Sequence, residues 1–189
     1  MSGIRPVIID HRDSFTYNLA ESVRKITGYL PEIIDFEQTA VFDLDAFSHI
    51  ILSPGPGLPQ EFSSIRHILR QYENTKKILG VCLGHQGIAH YYGGQLEQLA
   101  FPVHGQAVDV KVIREEDLLF KDVPLRFKAG YYHSWVVGEL PGVLQLTAMD
   151  KNGNIAAFSH QTKSVFGIQF HPESFMTEAG IRILQNFLQ

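Results

Sequence analysis

Apolar residues in the first half of the chain follow two alternating rhythms. Short unbroken runs, PVIID at 6–10, YLPEIID at 29–35, HIILS at 49–53 and ILGVC at 78–82, have the length and β-branched content of buried strands. Between them the apolar positions recur every three or four residues. Phe15, Leu19, Val23 and Ile26 line one helix face, with Asp13 or Ser14 as the expected N-cap. Ile65, Ile68, Leu69 and Tyr72 line a second face that ends before ENTKK. HQGIAHYYGG, at 85–94, predicts a third helix stopped by paired glycines. Strands and helices alternating at these lengths predict parallel strands joined by crossover helices, in a sheet covered on both faces.

From about residue 95 the rhythm shortens. GQLEQL, QAVDVKVI, LRFKA, WVVGEL, LQLTAMD, IAAFSH and SVFGIQFH read as short strands between turn signals such as DKNGN. Ile181, Leu184 and Leu188 then mark the face of a C-terminal helix. No Pro/Ser-rich linker separates the halves. The expectation is one α/β domain over 1–189, with a mixed, largely parallel central sheet, helices on both faces and antiparallel strand additions in the second half.

Composition narrows the function classes. With 189 residues, 44% hydrophobic and 19% charged, the chain suits a single soluble domain with its own core. A net charge of −4 with scattered lysines and arginines provides no basic patch for nucleic acid. No apolar run approaches the roughly 18 residues of a membrane span, and the run near the N-terminus is too short for a signal peptide. One cysteine excludes an internal disulfide, so a reducing, cytoplasmic setting is expected.

That cysteine is the first candidate for chemistry. Gly80-Val81-Cys82-Leu83-Gly84 fits the G-x-nucleophile-x-G pattern of a sharp strand-to-helix turn. Such a turn points helix N-terminal amides at the sulfur, which favours thiolate, and aims the Leu83 N–H where an oxyanion would form. A buried core thiol is the alternative reading. A thiolate needs a base, and the base needs an orienting group. His11, His49, His67, His90 and His160 have no supporting context, and His85, in the turn after Cys82, is placed to pack or to support. His171 ends an apolar run and Glu173 follows two residues later. If the backbone stays extended through Pro172 both side chains project the same way, as an imidazole and its carboxylate must.

Metal chemistry finds no support. H-x-E at 171–173 lacks the P-C-x-x-C of zinc deaminases, and His85 and His90 are five apart with no H-E-x-x-H. SPGPGLP at 53–59 lacks the Lys-Ser/Thr of a phosphate loop and the third glycine of a dinucleotide fingerprint. It reads either as an ordinary tight turn or as a rigid path whose bare amides complete an oxyanion hole.

Six motifs span the chain in order: DSFTYN (13–18), SPGPGLP (53–59), GVCLGHQ (80–86), HG (104–105), YHSW (132–135) and GIQFHPES (167–174). With them the sequence resembles the class I, triad-type glutamine amidotransferases, within them the small subunits of anthranilate and aminodeoxychorismate synthases. The resemblance implies Cys82 as nucleophile, His171 as general acid/base and Glu173 as orienting acid. It implies oxyanion amides at Gly57 and Leu83, and a glutamine site formed by Gly55, Pro56, Gly57, Gln86, Ser134 and Trp135. It implies L-glutamine as substrate, no cofactor and, as partner, a large chorismate-binding synthase subunit docked near DSFTYN and the loops around His104. Tyr131 stands where the family often has arginine, Trp135 where leucine is common, and Leu58 where threonine is frequent. Two other readings remain: a stand-alone thiol hydrolase of the γ-glutamyl hydrolase type, disfavoured by DSFTYN and YHSW, and an inactive partner-docking regulator, disfavoured by the intact Cys82/His171/Glu173 set.

Overall fold

In the computed structural model, which describes residues 3–189, nine strands form one sheet in the order β2-β1-β3-β4-β9-β8-β7-β5-β6. The first half runs β1 (Pro6–Asp10), α1 (Thr16–Thr27), β2 (Glu32–Asp35), β3 (His49–Leu52), α2 (Ser63–Tyr72), β4 (Lys77–Val81) and α3 (Leu83–Tyr91). β1 pairs in parallel with β2 and β3, β3 with β4, and β4 with the late strand β9 (Val165–Ile168). The sheet then turns antiparallel through β8 (Ile155–His160), β7 (Leu144–Asp150), β5 (Gln95–Val112) and β6 (Arg126–Glu139). The chain ends in α4 (Gly180–Phe187). This is the α/β mixed sheet that the alternating rhythms predict.

Strand side chains alternate between two cores. Ile8, Ile51 and Leu79 face α1 and α4, while Val7, Ile9, Ile50, Leu52 and Ile78 face α2 and α3. Both faces of the parallel strands are therefore covered, which is why their sequences read as unbroken apolar runs. Each fully buried Ile, Leu or Phe contributes about 1.5–3 kcal/mol of transfer free energy, and these two layers hold the parallel strand ends in fixed register. No helix among the described residues is long and apolar enough to cross a membrane.

Four local expectations are corrected. α1 begins at Thr16 with Phe15 at the N-cap position and no side-chain cap. Asp13 instead closes the preceding turn, accepting from Phe15 N at 2.7 Å. GQLEQL and QAVDVKVI belong to one 18-residue strand, β5, so His104 lies in a strand rather than a loop. Pairing with β6 skips between Gln98 and Val103, and Pro102, which lacks a donor, falls in that gap. LRFKA and WVVGEL likewise merge into β6 through YYHS. In α4 the buried face is Ile183, Leu184 and Phe187, followed by Leu188, whereas Ile181 is exposed.

Candidate active site

The carboxyl ends of β1, β3, β4 and β9 share one edge of the sheet, where open α/β sheets place ligands. β4 delivers Val81, α3 opens at Leu83, and Cys82 turns the corner between them with φ 51° and ψ −99°. A positive φ on a non-glycine residue costs on the order of 1–3 kcal/mol and persists only when the surroundings enforce it. Here Cys82 N donates to Ile168 O at 2.9 Å and Cys82 O accepts from Gln86 N at 3.0 Å. The flanking glycines make the corner sterically possible. A Cβ at Gly80 would overlap the Gly84 backbone and lie 2.6 Å from His85 N, and one at Gly84 would lie 2.5 Å from Leu52 O. Backbone cannot yield there, so Gly80→Ala is expected to cost about 2–4 kcal/mol; a denaturation midpoint equal to that of the parent protein would contradict this.

His171 reaches the same corner from β9. Its N–H donates to Gly130 O at 3.0 Å, tying it to β6. The expected extended path through Pro172 is replaced by a β-turn, with Ser174 N donating to His171 O at 3.2 Å. Proline presets φ at the second position of such a turn, and Glu173 at the third swings back under its own histidine. Glu173 Oε1 sits 2.6 Å from His171 Nδ1, with the two side chains 0% and 2% exposed. The carboxylate can only accept, so Nδ1 carries the proton. His171 Nε2 has no hydrogen-bond partner. Burial disfavours the imidazolium, but the adjoining Cys82 sulfur and Glu173 carboxylate outweigh it and push the His171 pKa up to about 10. Phe15 and Tyr132 close over the ring edge-on, with centroids 5.1 and 4.9 Å away.

Beside Cys82 opens a cavity of about 290 Å³, near the lower end of the roughly 300–1,000 Å³ of small-molecule sites. One wall is the loop Gly55–Leu58, the floor is Cys82, Leu83 and Gln86, and the far wall is the β6 stretch 132–135. Gly57 has φ 72°, and the Glu61 carboxylate beside it accepts from Leu58 N at 2.8 Å. The Gly57 and Leu83 amides enter no hydrogen bond with another described residue. Gly55, Pro56, Gly57, Gln86, Ser134 and Trp135 all line the cavity, whereas Tyr131 is buried in the core.

Other residues here escaped the sequence reading. His133 and Tyr132 line the cavity, and Gln169 lies behind Cys82, fully buried. Gln169 had a signal: it precedes His171 by two in the run SVFGIQFH that reads as extended, where alternation puts both on the same side, although β9 itself ends at Ile168. His133 Nδ1 donates to Trp135 O at 2.9 Å, and burial lowers its pKa to about 4. His85 is entirely buried against the Phe158 ring, and desolvation drops its pKa to about 3, so it stays neutral. The arrangement unites a thiol at a helix N-terminus, a polarised imidazole with its carboxylate, and two unspent amides beside a small cavity.

Comparison with known proteins gives a consistent picture. A family model described as glutamine amidotransferase class-I matches residues 7–189. The anthranilate synthase component 2 of Methanothermobacter thermautotrophicus is 38% identical over 195 residues, covering 97% of this chain and 97% of that one. The aminodeoxychorismate synthase of Streptomyces griseus is 38% identical over 187 residues, covering 97% of this chain and 26% of that longer protein. A solved Thermoplasma acidophilum structure, provisionally described as part of a GMP synthase, superimposes with a TM-score of 0.88 at 23% identity, covering 98% of this chain and 92% of that one. That last likeness is one of fold.

Proposed function

The chain belongs to the class-I glutamine amidotransferase family, and we propose that it is the glutaminase subunit of a chorismate-using synthase, making anthranilate or aminodeoxychorismate. The observation that carries this reading is the meeting of Cys82, which lines a cavity of about 290 Å³, with the buried His171–Glu173 pair behind it. In this reading the Cys82 thiolate attacks the side-chain carbonyl carbon of glutamine, and the Gly57 and Leu83 amides receive the oxyanion. The His171 imidazolium gives its proton to the departing nitrogen, the C–N bond breaks, and ammonia leaves a glutamyl thioester. Water, deprotonated by the same ring, then attacks the thioester to release glutamate and restore the thiol. Glu173 keeps Nδ1 protonated throughout, so that Nε2 does the transfer.

Gln86 orients the substrate. Its Nε2 is committed to Trp135 O at 2.8 Å and Gln169 Oε1 at 3.2 Å, which leaves its oxygen for a donor such as the α-ammonium of glutamine. Ser134 and Trp135 form the opposite wall. The partner covers the site through the segments predicted for it: Phe15 packs on His171, His104 packs on Tyr132, and the neighbouring Tyr17, Phe101 and Phe175 are exposed aromatics. A protein-lined exit matters because ammonia released into water near pH 7 protonates to unreactive ammonium.

Identity is the same, 38%, to a relative named for each product, so product identity is the assay. The chain mixed with a chorismate-binding large subunit, chorismate and glutamine is expected to yield one of the two aromatic amines, with glutaminase turnover rising on complex formation. Glutamine hydrolysis that is unchanged by every such partner, with no aromatic amine formed, would overturn the reading in favour of a stand-alone hydrolase.

A further inference from the structure

The Cys82 sulfur has a second neighbour besides the imidazole, and its orientation is dictated by a chain of hydrogen bonds. Trp135 O can only accept. Gln86 must therefore present its Nε2, which donates to Trp135 O at 2.8 Å and to Gln169 Oε1 at 3.2 Å. With its oxygen so engaged, Gln169 turns its own amide nitrogen to Cys82 Sγ, 3.6 Å away. His133 Nδ1 donates to the same Trp135 carbonyl at 2.9 Å, anchoring the far end. Gln169 is fully buried and Gln86 is 3% exposed, so no water competes for these groups. A buried amide N–H pointing at sulfur strengthens as the sulfur gains charge.

We propose that Gln169 is a positioning residue for the nucleophile: its side-chain N–H stabilises negative charge on Cys82 and holds the sulfur in its attacking rotamer, with Gln86 fixing which end of the amide faces it. This rests on the reading of Cys82 as nucleophile. It gives Gln86 a second task, joining the glutamine cavity to the sulfur. No bond is made or broken at Gln169; it contributes one N–H donor before and during attack.

Two substitutions separate charge stabilisation from mere filling of space. Gln169→Met keeps the length and removes the donor. Gln169→Glu keeps an oxygen for Gln86 and replaces the donor with a second oxygen facing sulfur. The readout is the rate of Cys82 alkylation by iodoacetamide from pH 5 to 10, which needs neither glutamine nor a partner, alongside glutaminase kcat and KM and thermal unfolding. At pH 7 alkylation is expected to fall about tenfold in Gln169→Met and further in Gln169→Glu, the size of one hydrogen bond to a charged group. The rates are expected to meet the parent's above pH 9, with kcat falling by a similar factor and KM changing less than about threefold. A parent-like alkylation profile in both variants would overturn the proposal. So would rates depressed equally at every pH, which indicates a displaced sulfur. If the parent alkylates with the expected profile yet hydrolyses no glutamine even with chorismate-binding large subunits present, the functional reading fails while the assignment of Gln169 stands.

Discussion

Cys82→Ala is expected to reduce glutamine-dependent synthesis by about 10⁴-fold or more, while the complex continues to make its aromatic amine from added ammonium at elevated pH. The size follows from the chemistry. Without sulfur there is no thioester, and the imidazole, its carboxylate and the unspent amides have no nucleophile to serve; members of such a set act as a unit, so loss of the attacking atom forfeits nearly all of its rate. The ammonia-dependent activity survives because it uses only the partner's site. Alanine also removes the thiol without disturbing the corner, since the Cys82 backbone bonds to Ile168 and Gln86 remain. Product formation is measured with glutamine and with ammonium in parallel. Loss of both would show that the partner's site depends on this subunit and that the substitution disturbs the complex as a whole, and retention of the glutamine reaction would eliminate Cys82 as the nucleophile.

Acid is expected to unfold the protein between about pH 6 and 4, beginning above the pH at which ordinary carboxylates take up protons. Burial drives four histidines to remain neutral: His11, His49 and His133 fall to about 4 and His85 to about 3. In the unfolded chain each titrates near 6.5, so below that pH the unfolded state binds more protons and stability falls as pH drops. By pH 5 each contributes a loss on the order of 1–2 kcal/mol. Four together approach the total stability of a typical domain, about 5–15 kcal/mol. His171 has the opposite sign. Its raised pKa stabilises the fold fully below 6.5, and that contribution is lost as pH climbs through about 10. Asp117, its carboxyl pushed up by burial, also opposes the acid loss, because the folded state takes up that proton before the unfolded chain does. Thermal unfolding followed by circular dichroism should show the midpoint dropping by about 10–20 °C from pH 7.5 to 5. A flat profile across that interval would mean that the buried rings are solvated in solution.

These two expectations draw on different kinds of information. The first starts from the letters 80–86 and 167–174: a glycine-flanked cysteine after an apolar run and a histidine at the end of another are candidates by their spacing, and the family resemblance supplies the roles proposed for them. The second has no such start. His11, His49 and His133 look like any histidine in sequence, since a single polar residue beside an apolar run leaves no periodic trace of its own burial. Only tertiary packing removes them from water: His11 lies against Ser53 and the Phe36 and Phe62 rings, His49 against Phe187 of α4, and His133 against Tyr131 in β6.

What the sequence determined by itself is the alternation of strand and helix and the two-faced sheet, and it singled out Cys82, His171 and Glu173 as candidates for chemistry. These follow from local rules: hydrophobic period, turn chemistry and the conformational limits of glycine and proline. Tertiary structure alone decided that β9, not β5, lies beside β4, and so that positions 82 and 171 meet. It also bent Glu173 under His171 through a turn rather than along a strand, and passed the orientation of Trp135 O through Gln86 and Gln169 to the sulfur. The physical reason is common to all three. Strand neighbours and buried amide orientations are settled by which distant groups compete for the same hydrogen-bond partners once water is gone, and no short window of sequence contains both competitors.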